Sequence, residues 1–142
     1  MRVGRRVRQS DTAVANAIET FLSQSRFAVV GASRHRHKIG NKIFRRLIQC
    51  GYPAVAVHPF AESIEGHLAY RRLTDVTPQP SVSIATPPTE TGRVVEDAID
   101  AGVTHVWIEP YAIDAEASRT ARRAGLNLID DGTSLLIVLT GL

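Results

Sequence analysis

The stretch that decides the fold is FAVVGASRHRHKIGNKIFRRL, residues 27–47. It opens with a continuous apolar run that ends at Gly31, which is typical of a strand buried on both faces of a sheet. Ile39, Ile43, Phe44 and Leu47 then recur on one face of a predicted helix. The stretch therefore predicts a strand, a loop and a helix. Its loop lacks the G-x-G-x-x-G fingerprint and is rich in basic residues instead.

Four more runs rich in apolar residues follow along the chain. Predicted helices separate them, except that AESIEGHLAYRRLTDV, residues 61–76 between the second and third strands, predicts a polar loop with one helical turn at most. The runs are PAVAVHP, SVSIATPP, THVWIEP and LNLIDD, starting at residues 53, 81, 104 and 126. Strands that alternate with helices of this length indicate βαβ units and a parallel sheet. We predict an α/β fold with a doubly wound, five-stranded Rossmann-like sheet in the order 3-2-1-4-5. The helical spacing between residues 10 and 24 predicts one extra helix at the N-terminus.

Length and charge limit the class of protein. The 142 residues suit a single domain, which we place at residues 10–142. The first nine residues, MRVGRRVRQ, predict a basic and flexible tail, with RNA or an acidic surface as the alternative reading. A formal net charge of +3 is too small to favour nucleic acid as a partner. No apolar run approaches the roughly 20 residues that cross a bilayer, so we expect no membrane span.

The chain has one cysteine, Cys50, which cannot form an internal disulfide. A lone thiol is typical of a reducing compartment, and we expect a cytoplasmic protein. Because Cys50 lies in an apolar helical pattern, we expect it to be a buried core thiol.

The first loop has the residue types that bind phosphate. In open α/β sheets, ligands bind beyond the carboxyl ends of the strands. Gly31 and Ala32 would let the backbone approach a phosphate, and Ser33 offers a hydroxyl. A helix that begins near Gly40 would direct free N–H groups at an anion. The candidate cations are Arg34, Arg36 and Lys38. A solvated loop that is merely basic is the alternative.

The second and third strand ends narrow the class of nucleotide. An NAD site usually has Asp or Glu after the second strand, but His58 and Pro59 stand there. A histidine tolerates a phosphate on the ribose, so NADP and coenzyme A both qualify. After the third strand, Pro87 and Pro88 predict a stiff apolar wall for an adenine ring or a pantetheine arm, and Thr86 offers a hydroxyl.

The last two strand ends carry four polar side chains whose role the sequence leaves open. They are Glu109, Tyr111, Asp130 and Asp131. We interpret the carboxylates as caps and solvated edge residues, with acid–base chemistry as the alternative. The sequence has no G-x-S-x-G elbow, P-loop or zinc motif, and His35 and His37 have no further ligand cluster beside them. This pattern favours a binding module over an enzyme.

In order and spacing, VVGAS, GYPAVAVHP, EGHLAYRRLTDV, TPP and AIDAGVTHVWIEP resemble the CoA-binding domain family. These are small stand-alone Rossmann proteins, similar to the N-terminal domain of the succinyl-CoA synthetase α-subunit, and the similarity covers about residues 10–136. The resemblance implies that coenzyme A or an acyl-CoA is the ligand. The site residues that it implies are Gly31, Ala32, Ser33, Lys38, Gly40, His58, Pro59, Thr86, Pro87 and Pro88.

This chain departs from the family pattern at several positions. The family commonly has Asn where His58 stands, and Gln and a small residue where Glu109 and Tyr111 stand. It often has a Cys shortly after the fifth strand with a downstream His, and neither is present here. The thiol end of CoA would then be held differently. We also expect no acyl-CoA ligation by this domain alone.

We therefore expect a cytoplasmic protein that binds CoA or an acyl-CoA without catalysis of its own. The alternative is an enzyme, or an enzyme subunit, that uses NADP or acyl-CoA with Glu109 or Asp131 as acid or base. A third reading is an interaction protein that uses the basic tail and the apolar C-terminus. The final run SLLIVLTGL can pack on its own sheet or on a second chain, as a homodimer or with another partner.

Overall fold

The computed structural model describes residues 9–141. The predicted basic tail lies outside this range except for Gln9, which is helical. The helices are α1 (Gln9–Leu22), α2 (Ile39–Gln49), α3 (Pro88–Asp100), α4 (Ala115–Arg123) and α5 (Leu135–Thr140). The strands are β1 (Phe27–Val30), β2 (Ala54–Val57), β3 (Ser63–Ile64), β4 (His67–Tyr70), β5 (Ser81–Ile84), β6 (His105–Ile108) and β7 (Asn127–Ile129). Short 3-10 turns occupy Leu73–Asp75 and Pro110–Ala112.

The predicted α/β class and the N-terminal helix are confirmed, but the predicted strand order is wrong. The seven described strands form one sheet in the order β3-β4-β2-β1-β5-β6-β7. All neighbours are parallel except β3 and β4, which form an antiparallel hairpin. The predicted third strand, β5, was expected beside β2, yet it pairs with β1 on the opposite side. The place beside β2 belongs to β4.

The segment that contains β4 was interpreted as a polar loop because it carries almost no apolar pattern. Of its four residues, Ala69 alone is buried, while His67 and Leu68 are exposed. The hairpin turn at Glu65 and Gly66 has both residues at positive φ, 52° and 78°. Such turns are usually Asn-Gly or Asp-Gly, so this one is hard to recognise. The parallel strands follow the order 3-2-1-4-5-6 once β4 is counted as the third.

Two apolar clusters cover the two faces of the sheet, because successive side chains of a strand point to opposite faces. On one face, Phe27 and Val29 of β1 join Trp107 of β6 and side chains of α1, α2 and α5. On the other face, Ala28 joins a cluster built with α3 and α4. Trp107 is fully buried, and its indole N–H donates to the Thr133 carbonyl at 2.9 Å.

The apolar C-terminal run packs on its own sheet. Leu135 and Leu139 of α5 are fully buried in the same cluster as Trp107. Cys50, predicted to be buried, is only partly so, and its Sγ lies 3.8 Å from the Leu139 carbonyl oxygen. None of the helices within residues 9–141 combines the length and apolarity that a bilayer crossing requires.

Candidate functional site

Two adjoining cavities open at the carboxyl ends of β1, β2, β5 and β6. The first has a volume of about 620 Å³ and lies between the β1–α2 loop, the end of β5 and the turn after β6. The second has a volume of about 670 Å³ and lies between the ends of β1 and β2, the segment after β4, and α3. Gly31, Ser33, Thr86 and Glu90 line both cavities. The two cavities therefore meet at the end of β1, where the strand order reverses.

The structure brings nine of the eleven predicted site residues to these cavities. The nine are Gly31, Ala32, Ser33, Lys38, Gly40, His58, Pro59, Thr86 and Pro87. Pro88 is not among the lining residues. It is the first residue of α3, a position where proline's fixed φ suits a helix. Arg34 is also outside both linings, although its charge acts on His58.

Gly31 and Gly40 hold the first loop by close backbone contact. Gly31 has a φ of 96°, and a Cβ there would lie 2.4 Å from the carbonyl oxygen of Ala85. A Cβ on Gly40 would lie 2.3 Å from the carbonyl oxygen of Gly31. The ends of β1 and β5 and the first turn of α2 can approach this closely only because neither residue has a side chain.

A network of polar side chains fixes the basic loop and shows where its cations point. Asn41 is fully buried, and its amide donates to the Ser33 carbonyl at 2.7 Å and to a Glu65 carboxylate oxygen at 3.2 Å. Glu65 also pairs with Arg36 at 3.4 Å. Arg45 donates to the Asn41 side-chain oxygen and to the Arg36 carbonyl. Arg36 is therefore directed at the hairpin turn between β3 and β4.

Of the other two loop cations, Lys38 is the one that lines a cavity. Lys38 lines the first cavity and stands at the N-cap position of α2, where its side chain makes no capping hydrogen bond. The first turn of α2 contains no acidic residue. The N–H groups and dipole of this helix end are therefore suited to an anion.

His58 is held by the backbone that follows it. Its Nδ1 accepts hydrogen bonds from the N–H groups of Phe60 at 3.0 Å and Ala61 at 2.9 Å. An acceptor at Nδ1 places the proton of the neutral ring on Nε2. An Asn oxygen forms the same kind of turn, so His58 substitutes for Asn here. Burial lowers the pKa of His58, and the Arg34 charge lowers it further.

This geometry predicts a pH dependence of stability. The pKa of His58 lies below the 6.5 of an ordinary histidine, so the folded protein binds fewer protons than the unfolded chain between these values. The contribution of His58 is complete above about pH 6.5 and falls as the pH drops towards the folded-state pKa. His58→Asn keeps an acceptor but does not titrate. We expect the unfolding free energy of wild type, relative to His58→Asn, to fall between about pH 7.5 and pH 5.5.

Urea unfolding at the two pH values measures this difference. His58→Ala, which removes the acceptor, is expected to cost about 1 kcal/mol at the higher pH. A constant difference between wild type and His58→Asn across the pH range would show that His58 is not held as a neutral acceptor.

The sequence predicted that Glu109 would be a cap or a solvated edge residue. The structure shows that its side chain is buried. It is 1% exposed, and its carboxylate accepts from the Ser134 hydroxyl at 2.7 Å and from the Leu135 N–H at 2.8 Å. Burial raises the pKa of Glu109, while these two hydrogen bonds act in the opposite direction. The predicted capping role of Glu109 is confirmed, because its carboxylate accepts a hydrogen bond from the first N–H of α5.

Three more acidic residues lie near the carboxyl edge of the sheet, and each makes a hydrogen bond or an ion pair with a nearby residue. Asp114 caps α4, accepting from the Ala117 N–H at 3.0 Å. Asp130 pairs with Arg122, and Asp131 accepts from the N–H and hydroxyl of Thr133 at 3.1 and 2.9 Å. These contacts agree with the interpretation of the carboxylates as caps and edge residues.

Several charged and aromatic residues that line the second cavity were not predicted from the sequence. They are Phe60, Arg71, Arg72, Glu90, Arg93 and Asp97. Tyr111, whose role the sequence left open, lines the first cavity. The arginine pair follows β4, and a recognised strand there would have placed both residues at the carboxyl edge. His35 and His37 line the first cavity, but the described residues contain no group of three side chains able to hold a metal ion.

Comparison with known proteins is consistent with this arrangement. Residues 25–138 match the model of a family described as the CoA binding domain. A conserved hypothetical protein from Pyrococcus furiosus is 28% identical, with a TM-score of 0.76; the match covers 81% of this chain and 99% of that one. A hypothetical protein from Pyrococcus horikoshii is 25% identical, with a TM-score of 0.84, covering 100% and 99%.

A larger protein contains a similar domain. The dinucleotide-forming acetyl-coenzyme A synthetase 1 of Candidatus Korarchaeum cryptofilum is 25% identical, with a TM-score of 0.70. The match covers 81% of this chain but only 28% of the synthetase. The family match extends over most of the sequence and includes both cavities. The chain therefore belongs to the CoA-binding domain family.

Proposed function

We propose that this protein binds coenzyme A or an acyl-CoA at the carboxyl edge of its sheet and has no catalytic activity of its own. The observation that carries the proposal is the pair of cavities that meet at Gly31, Ser33 and Thr86. Family membership supports it, and so does the similarity to an acetyl-coenzyme A synthetase. Cys50, a lone thiol, fits the reducing cytoplasm that we propose as its location.

The dimensions and donors of the site fit this ligand. Each cavity falls within the roughly 300–1,000 Å³ that ligand sites occupy. Because the two cavities share lining residues, a nucleotide with a long arm can extend across both. The diphosphate would lie where the cavities meet, beside Gly31, Ser33 and the first turn of α2. Lys38 would add a charge-assisted contact there.

The second cavity has the charges that suit the phosphorylated ribose. Arg71, Arg72 and Arg93 line it against two carboxylates, Glu90 and Asp97. The end of β2 carries His58, where a dinucleotide site of the NAD type would have a carboxylate. A 3′-phosphate would therefore meet arginine and imidazole side chains, and Phe60 and Pro59 offer apolar surface to the adenine ring.

The described contacts give less support to an enzyme. Glu109, the strongest candidate for an acid or base, is 1% exposed and bound to Ser134 and Leu135. Asp131 is exposed, and both of its oxygens accept hydrogen bonds from Thr133. A general base must come within hydrogen-bond reach of the ligand, and neither residue lines a cavity.

Calorimetry with CoA, dephospho-CoA, NADP and NAD tests the proposal on protein freed of ligand. We expect CoA to bind best and dephospho-CoA about tenfold more weakly, which corresponds to about 1.4 kcal/mol. The double variant Arg71→Gln and Arg72→Gln should bind CoA and dephospho-CoA almost equally. Arg123→Gln, at the far end of α4, is the control and should keep the preference. No binding of CoA at millimolar concentration would refute the proposal.

A further inference from the structure

Tyr111 forms one wall of the first cavity. The sequence left the role of this residue open. It lies in the 3-10 turn Pro110–Ala112, directly after β6. Its hydroxyl donates to the carbonyl oxygen of Ala85, at the end of β5, at 2.7 Å. The ring therefore spans the gap between the ends of two neighbouring strands, and it remains 46% exposed.

The position of the ring is well fixed. In the same turn, Ala112 is fully buried, its N–H donates to the Glu109 carbonyl at 2.9 Å, and its own carbonyl accepts from the Thr91 hydroxyl at 2.7 Å. On the other side, the Ala85 N–H donates to the Val30 carbonyl at 2.8 Å. Burial and the nearby Glu109 raise the pKa of Tyr111 to about 12, so its hydroxyl keeps its proton and the hydrogen bond persists at neutral pH.

The distribution of charge between the cavities orients the ligand that we propose above. The second cavity holds three arginines against two carboxylates, whereas the first holds one lysine against one carboxylate. CoA carries its phosphates at the nucleotide end, and its pantetheine arm is uncharged. The nucleotide end is favoured in the second cavity, and the arm is directed into the first, towards Tyr111.

We propose that Tyr111 closes the end of the cavity that receives the thiol of CoA and so limits the size of the acyl group. The site then takes free CoA or a short thioester such as acetyl-CoA, and it rejects longer acyl chains. This inference rests on the proposed CoA binding. It assigns Tyr111 a role in specificity, because the ring lines the first cavity and its hydroxyl is bound to the end of β5.

Calorimetry with CoA, acetyl-CoA and octanoyl-CoA on three proteins tests this inference. Wild type should bind CoA and acetyl-CoA with similar Kd and octanoyl-CoA at least about tenfold more weakly, or about 1.4 kcal/mol. Tyr111→Ala should bind octanoyl-CoA within about threefold of CoA, since a side chain of this size has been removed. Tyr111→Phe keeps the ring and should keep the discrimination. Circular dichroism confirms that each variant is folded.

The outcomes separate the two proposals. If wild type binds CoA and octanoyl-CoA equally well, or if Tyr111→Ala still rejects octanoyl-CoA, the size limit is wrong and CoA binding stands. If wild type binds none of the three ligands, the proposed function fails, and the inference fails with it.

Discussion

Gly31→Ala is expected to destabilise the protein by about 2–6 kcal/mol and to weaken CoA binding at least about tenfold. The new Cβ would lie 2.4 Å from the Ala85 carbonyl oxygen, so the backbone of β5 must move. The residue also has a φ of 96°, which costs an L-residue about 1–3 kcal/mol. Overpacking against the rigid backbone adds about 1–3 kcal/mol. Binding weakens because both cavities meet at this residue.

Gly132→Ala provides a matched control for this effect. Gly132 has a φ of 97°, almost the same as that of Gly31, yet a Cβ there would have no heavy atom within 4 Å. It should therefore show only the backbone cost, about 1–3 kcal/mol, and leave CoA binding unchanged. Urea unfolding and calorimetry measure both quantities. Equal losses of stability in the two variants would mean that the contact between β1 and β5 is not tight.

Glu109→Ala is expected to cost about 2–3 kcal/mol of unfolding free energy at neutral pH. The substitution leaves the buried Leu135 N–H without its acceptor and takes away the partner of the Ser134 hydroxyl. Glu109→Gln keeps an oxygen for the Leu135 N–H and should cost within about 1 kcal/mol. Glu96→Ala, at an exposed position on α3, should change stability by less than about 0.5 kcal/mol.

The pH dependence of the Glu109→Gln comparison has a definite sign. Burial raises the pKa of Glu109 above the 4.5 of an ordinary glutamate, so the folded protein binds more protons than the unfolded chain between these values. The part of the stability that comes from protonation of Glu109 is complete below about pH 4.5 and is lost as the pH rises through the folded-state pKa. Wild type should therefore gain stability relative to Glu109→Gln as the pH falls from about 7 to about 4.5.

Urea unfolding at the two pH values provides the measurement. If the unfolding free energy of Glu109→Gln rose relative to wild type as the pH fell to about 4.5, the result would contradict the burial of this carboxylate. Unchanged CoA binding in Glu109→Gln is also expected, because the residue does not line either cavity. Loss of binding in that variant would favour the alternative in which Glu109 acts on the ligand.

The sequence predicts those parts of this fold whose cause is local. The five predicted strands are recognisable because each contains apolar residues bounded by loop residues, and helices separate most of them. The helix from Ile39 has an apolar face, and a glycine with positive φ, Gly51, follows its end. The strand β4 has a single buried residue, Ala69, so no periodicity marks it. Missing one strand was enough to misplace β5 in the predicted order.

The same limit applies to the site. His58 and Thr86 were predicted because each follows a recognised strand, and all such strands end at one edge. Arg71 and Arg72 were missed because their strand was missed. The partners of Glu109 are 25 and 26 residues further along the chain, and Glu65 in the β3–β4 turn is 24 residues from its partner Asn41 in α2. Tertiary structure alone brings these groups together.

A titration of ¹⁵N-labelled protein with CoA, followed by backbone amide chemical shifts, tests the central claim most directly. We expect saturable shifts in the loop from Gly31 to Gly40, at His58 and Phe60 after β2, and in the first turns of α3. The amides of α1 and the C-terminal turn of α4 should not move. No shifts at millimolar CoA, or shifts confined to α1 and α5 on one face of the sheet, would contradict CoA binding at its carboxyl edge.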